Sequence, residues 1–66
     1  MIVRKLTAEG VQNGLTEFTS PIIFRGKWRA MIKTFQHLKW KKDTNMYGGY
    51  WVDSVGDCYF IFPGRG

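Results

Sequence analysis

Positive charge and aromatic rings are concentrated in one stretch of this chain, residues 18–42. It holds seven of the ten Lys and Arg residues, two of the three tryptophans, and neither Asp nor Glu. Lys and Arg side chains neutralise the phosphates of nucleic acids, and exposed rings stack on unpaired bases. These residues therefore indicate an anion-binding surface, provided that the fold turns them to the same side.

Two kinds of element could position these side chains. In a continuous strand, side chains at odd positions share a face, and that face would collect Arg25, Lys27, Arg29, Lys33, Lys39 and Lys41. In a helix, the same cations scatter around the axis, although the apolar residues form a good stripe, which consists of Trp28, Met31, Ile32, Phe35 and Leu38. Gly26-Lys27 offers no capping side chain for a helix. We therefore predict a strand over residues 28–42 and keep a helix at about 27–41 as the alternative.

Composition also favours a sheet. Ala, Leu and Glu, which favour helices, number seven, whereas Val, Ile, Thr and the aromatic residues number 25 of 66. The predicted fold class is mainly β, a small antiparallel meander or open barrel of four to five strands. The alternative is an α+β fold in which one helix at about 27–41 packs on a small antiparallel sheet.

The remaining strands are predicted from alternation and turn residues. We expect strands at Ile2–Leu6, at residues 15–24, and in a hairpin formed by residues 50–53 and Cys58–Phe62. Residues 7–14 are predicted to be a loop or a short turn, since Asn13-Gly14 is a strong turn signal. A second hairpin is predicted at Arg25-Gly26-Lys27, which would place Phe24 opposite Trp28.

Length, charge and cysteine content limit the class of protein. Sixty-six residues make one small domain, 1–66, with a tail at 64–66 that we predict to be flexible. Cys58 is the only cysteine, which excludes a disulfide within the chain and favours a reducing, cytoplasmic location. We expect no membrane segment, because no run of about 20 apolar residues occurs. The net charge of +5 favours anionic partners.

Catalytic and metal-binding patterns are weak in this sequence. Asp53 and Asp57 flank a predicted turn, where local hydrogen bonding explains them. Cys58 and His37 could form a nucleophile pair, but one Cys and one His at no recognised spacing do not predict catalysis or a metal site. We therefore predict a protein that is not an enzyme and has no cofactor, metal or catalytic residues.

The function predicted from these residues is binding. The hairpin carries Trp51 and Tyr59 on one side, and we predict these rings to be exposed beside the cations while the other side forms the core, namely Tyr50, Val52, Cys58, Phe60 and Phe62. The predicted binding residues, for single strands or for the nucleic-acid backbone, are Arg25, Lys27, Arg29, Lys33, Phe35, His37, Lys39, Lys41, Trp51 and Tyr59.

Two other functions fit the same residues. The basic and aromatic surface could belong to a small inhibitor or adaptor, of the kind that viruses and mobile elements encode, and could bind an acidic patch on a host protein such as a nucleic-acid enzyme. Self-association into a homo-oligomer is the third possibility, because the edges of an open sheet readily pair with other strands.

Overall fold

Among residues 1–64, five strands form one antiparallel sheet, and they are β1 (Ile2–Leu6), β2 (Ile22–Arg25), β3 (Lys39–Lys42), β4 (Gly49–Val52) and β5 (Cys58–Phe62). In this computed structural model, which describes residues 1–64, their order across the sheet is β2-β1-β5-β4-β3. The sheet is open, with β2 and β3 at its edges, and this confirms the predicted mainly β, antiparallel fold class. Arg65 and Gly66 of the predicted tail lie outside the described residues.

The β4–β5 hairpin is where the prediction from sequence is confirmed in most detail. Trp51 pairs with Tyr59 across the two strands. In the turn, Oδ1 of Asp53 accepts hydrogen bonds from the backbone N–H groups of Val55 and Asp57, at 3.1 and 3.0 Å. Gly56 adopts a φ of +90°, a conformation that glycine reaches without steric cost.

The central segment differs from the prediction, because residues 28–35 form a helix, α2 (Trp28–Phe35), and the strand begins only at Lys39. Met31 and Phe35, one turn apart, are both buried, so the apolar stripe outweighs the missing cap: Lys27 makes no side-chain capping bond. The predicted strand over 28–35 was therefore wrong, and the helical alternative holds for those residues.

The predicted hairpin at Gly26 was also wrong. β2 pairs with β1 rather than with the following residues, with Val3 opposite Phe24. The N–H of Gly26 donates to the carbonyl of Met1 at 3.0 Å, which ties the end of β2 to the start of β1. The chain then passes directly into α2.

The segment between β1 and β2 contains more helix and less strand than predicted. Residues 8–12 form a short helix, α1 (Ala8–Gln12), where a loop or short turn was predicted, and the Thr7 hydroxyl caps it by accepting from the N–H of Gly10 at 2.9 Å. The predicted strand at 15–24 is limited to β2. Before it, Thr16 and Thr19 hold a turn, in which the N–H of Thr16 donates to the Thr19 hydroxyl at 2.8 Å.

The core lies between α2 and one face of the sheet. The ring of Phe35 is at its centre, with ring centroids 5.3 Å from Trp51, 5.6 Å from Tyr59 and 5.7 Å from Phe24. We call this side of the sheet the covered face, and its sheet residues are Val3, Phe24, Trp40, Trp51, Tyr59 and Ile61.

The opposite side of the sheet is covered only over β1 and the end of β5. The segment before β2 lies there, with the Phe18 ring 5.6 Å from that of Phe62 and Arg4 donating from Nη1 to the carbonyl of Ser20. Over β3, β4 and β5 the half-buried and exposed side chains form what we call the open face, which consists of Lys39, Lys41, Tyr50, Val52, Cys58 and Phe60.

Candidate nucleic-acid interface

The predicted cations do not form a single surface. Arg29 and Lys33 lie one turn apart on the exposed side of α2, and Lys27 precedes the helix. Lys39 and Lys41 belong to the open face, which lies on the other side of the sheet. The prediction that the basic side chains of the middle third share one face was therefore wrong, since a helix over 28–35 replaces the two-residue period on which it depended.

The two remaining predicted members are exposed, Arg25 at the end of β2 and His37 just before β3. Arg25 ends the edge strand β2 opposite Ile2 and is exposed. His37 is exposed between α2 and β3, where it borders a shallow depression of about 550 Å³ together with Lys39 and Asp53.

The predicted aromatic members are in the core. Phe35, Trp51 and Tyr59 are only 5%, 4% and 8% exposed, which corrects the prediction that Trp51 and Tyr59 face solvent beside the cations. The division of the hairpin into two sides was right, but the choice of the buried side was wrong. α2 determines that choice, because its stripe of Met31 and Phe35 requires an apolar sheet face to pack on.

The open face brings two rings and two lysines together on neighbouring strands. Lys41 pairs directly with Tyr50 across β3 and β4. The Tyr50 ring lies 4.8 Å from that of Phe60, centroid to centroid, with the two planes inclined by 36°. Lys39 is opposite Val52 in the same ladder. Since adjacent strands are about 4.8 Å apart, both ammonium groups can contact a ligand that lies on these rings.

An aromatic cleft of about 290 Å³ adjoins the open face at the end of β5. Phe60 belongs to both, so the cleft continues the surface of the open face. Its walls come from the segment before β2, from the β3–β4 loop and from the end of β5, and they include Glu17, Phe18, Met46, Tyr47 and Phe62. Phe18 and Met46, at 67% and 79% exposed, are its least covered apolar side chains.

Asn45 makes three side-chain hydrogen bonds within the loop between β3 and β4. Asn45 donates from Nδ2 to the carbonyl of Gly49 at 3.0 Å, and its Oδ1 accepts from the N–H groups of Tyr47 and Gly49, both at 3.0 Å. The amide of Asn45 is therefore engaged in holding the cleft wall. Turn chemistry was predicted here from Asn45 and its neighbours, but the cleft was not.

Titratable groups meet at the far end of β5, on the covered face. The hydroxyl of Tyr59 donates to Oδ2 of Asp53 at 2.7 Å, and this bond lowers the pKa of the Asp53 carboxyl. Lys5 lies 5.4 Å from the centre of the Tyr59 ring and 3.7 Å from Asp57, and the neighbouring Tyr59 side chain raises the pKa of the Lys5 ammonium. These contacts hold β1 against the hairpin turn, so the cluster has a structural role. We call its four residues, Lys5, Asp53, Asp57 and Tyr59, the Tyr59 cluster.

The pKa of the Cys58 thiol depends on the burial and charges of the open face. Burial raises the pKa of its thiol, and the ammonium of Lys41 partly opposes that shift. Tyr50, Phe60 and Cys58 were predicted to be core residues, so their place beside the lysines is new information from the structure. The apolar stripe of α2 was the signal that would have identified them.

Comparisons with other proteins do not indicate a function, so the evidence for function comes from the side chains described above. Neither a protein-family model, nor a curated protein, nor a solved structure matches this chain. Among residues 1–64, no three His, Cys, Asp or Glu side chains are grouped so that they could hold a metal ion. No helix in that part of the chain is both long and apolar enough to cross a membrane.

Proposed function

We propose that the open face binds nucleic acid. The observation that carries this proposal is the ring pair of Tyr50 and Phe60 with Lys41 directly beside it on the neighbouring strand. Rings on a sheet provide stacking platforms for bases, and lysines at the edge neutralise the phosphates that join them. The net charge of +5 supports long-range attraction of such a polyanion.

The two groups of cations provide a matched test. Lys39→Gln/Lys41→Gln removes two charges from the open face, whereas Arg29→Gln/Lys33→Gln removes two charges from α2 on the other side of the sheet. Binding of a fluorescent single-stranded oligonucleotide would be followed by anisotropy over a range of salt concentrations. The open-face variant should bind more weakly and lose about 1.4 from the log–log salt slope, because each phosphate contact to a single strand contributes about 0.7.

The α2 variant is expected to keep nearly the salt slope of the wild-type protein. If both variants lose affinity equally, the binding depends on total charge and the open face is not the site. If the wild-type protein binds no oligonucleotide at low salt, the proposed function is wrong.

The rings are tested separately from the charges. Phe60→Ala removes a stacking surface from the open face and should cost about 1–3 kcal/mol of binding free energy. Unlike removal of a lysine, it should leave the salt slope unchanged. Circular dichroism would establish that the variant is folded before its affinity is interpreted.

One observation favours a second candidate, an adaptor or inhibitor that binds an acidic protein surface. Trp28 is 48% exposed, stacks on Tyr47 at 5.9 Å and lies next to the exposed Arg29. Trp, Tyr and Arg are the side chains that most often anchor protein interfaces. α2 carries Trp28 over the covered face, away from the open-face lysines, so Trp28→Ala should abolish protein binding and leave the salt slope of oligonucleotide binding unchanged.

A further inference from the structure

We propose that the aromatic cleft holds one unpaired base of a strand bound on the open face, and that Glu17 selects a base carrying an exocyclic amine. This inference rests on the proposed function and gives it a ligand class, single-stranded nucleic acid with an amino-bearing base at one position.

The position of the cleft supports a continuous path for the strand. Phe60 forms part of the open face and part of the cleft wall, so a strand stacked on Tyr50 and Phe60 reaches the cleft at its next base. The two lysines lie on β3, outside the cleft. The phosphates would therefore stay near the edge of the sheet while the base turns inward.

The lining of the cleft suits a flat ring. Phe18 and Phe62 pack at 5.6 Å with their planes inclined by 57°, and Phe60 and Tyr47 contribute further aromatic surface. At about 290 Å³ the cleft is at the lower limit of small-molecule sites. A base that is paired and stacked in a duplex cannot enter such a cleft unless it leaves the stack, so a single strand is the favoured ligand.

Glu17 supplies the chemical selectivity. Of the polar lining residues, Asn45 has its amide engaged with Tyr47 and Gly49, whereas the half-buried Glu17 brings a carboxylate to the lining, and we assign the base edge to that group. An ionised carboxylate only accepts hydrogen bonds. It can therefore accept from the N4 amine of cytosine, whereas the O4 carbonyl of uracil or thymine would be left unpaired against it. Its negative charge also disfavours entry of a phosphate.

The test compares oligo(dC) with oligo(dU), which differ at the base edge that Glu17 would read. Oligonucleotides of about eight nucleotides match the site size of small binding domains. The wild-type protein should bind oligo(dC) about 5- to 100-fold more tightly, the range expected for one good base contact. Glu17→Gln should bring the two affinities within about twofold, because an amide can both donate and accept.

The charge variant of the open face is the control for this selectivity. Lys39→Gln/Lys41→Gln should weaken both oligonucleotides by the same factor and preserve their ratio. Equal wild-type affinities for oligo(dC) and oligo(dU), or a preference that Glu17→Gln leaves unchanged, would overturn the inference about the cleft while the proposed function stands. Absence of binding to either oligonucleotide would overturn both. Circular dichroism of each variant ensures that a change of ratio is not caused by unfolding.

Discussion

The covered and open faces are built from alternate residues of the same strands, yet they have different physical roles. On the covered face, Trp51 and Tyr59 pack around Phe35 and are almost fully buried. On the open face, the rings of Tyr50 and Phe60 pack at 4.8 Å with tilted planes and remain half-buried. Both sides carry aromatic rings, so the type of residue does not assign a role to either. What separates them is the presence of α2 on one side.

The largest expected effect is the loss of the ring at the centre of the covered face. Phe35→Ala should cost about 3–5 kcal/mol, the range for truncating a buried aromatic side chain. A domain of this length has only about 3–10 kcal/mol in total, so the substitution should remove a large share of the stability. Urea denaturation followed by tryptophan fluorescence would measure the loss.

Phe60→Ala is the matched substitution on the open face. It removes the same atoms from a half-buried site and should cost about 1 kcal/mol, a part of the value for a fully buried Phe. Equal losses for the two variants would show that the open face is also core, and would remove the basis for a binding surface there.

The next effect tests how closely β3 is held against β4. A side chain at Gly49 would collide with the carbonyl oxygen of Lys41 and with the Trp40 ring. Gly49→Ala should therefore cost about 3 kcal/mol, in the upper part of the range for single substitutions. The neighbouring Gly48 has a φ of +80° but no atom within 4 Å of an added Cβ. Gly48→Ala should cost only about 1–2 kcal/mol, the strain of a left-handed residue.

Gly49 also has a positive φ, +158°, so thermal denaturation of the two glycine variants would show how much crowding adds to backbone strain. If Gly48→Ala proves as harmful as Gly49→Ala, the close approach of β3 to β4 does not determine the cost of a side chain at Gly49. The edge strand β3, which carries Lys39 and Lys41, would then be packed less tightly against β4 than this structure indicates.

Sequence reasoning succeeded where the pattern was local and failed where packing decided between alternatives. The β4–β5 hairpin could be predicted because alternation and turn residues such as Gly56 act within a few residues. The side of that hairpin to be buried depends on α2, which ends more than ten residues earlier in the chain. α2 itself was misassigned because odd-numbered cations were given more weight than the stripe that includes Met31 and Phe35.

The candidate site was predicted only in part, because only some of its features follow from a local pattern. Lys39 and Lys41 were placed correctly on one side of a strand, because the two-residue period holds over β3. Their aromatic neighbours Tyr50 and Phe60 were assigned to the core, since nothing in the hairpin alone distinguishes its two sides. The cleft beside Glu17 could not be predicted, because its walls come from three separate parts of the chain.

A smaller effect concerns the Tyr59 cluster at the end of the covered face. Tyr59→Phe removes the hydroxyl that donates to Asp53 and should lower the free energy of unfolding at neutral pH. The pKa of Asp53 is lowered in the folded protein, so its contribution is present above the unfolded value of about 3.8 and is lost as the pH falls through the lower folded value. The difference between the two proteins should therefore shrink on acidification below about pH 4. Urea titrations at several pH values would measure it, and a difference independent of pH would show that the Asp53 carboxylate is not the acceptor.

The smallest effect, a change in the reactivity of one thiol, tests the geometry of the open face itself. Burial raises the pKa of Cys58, and since the thiolate is the reactive form, iodoacetamide should alkylate the folded protein more slowly than the protein in urea. Lys41 opposes that shift, so Lys41→Gln should raise the pKa further and slow alkylation again. Lys42 is adjacent in sequence but lies on the other side of β3, opposite Gly49, and Lys42→Gln should leave the rate almost unchanged. Equal effects of the two substitutions would mean that the thiol senses the total charge of the chain. A selective effect of Lys41 would place its ammonium over the strands that carry Cys58, Tyr50 and Phe60, which is the arrangement that binding at the open face requires.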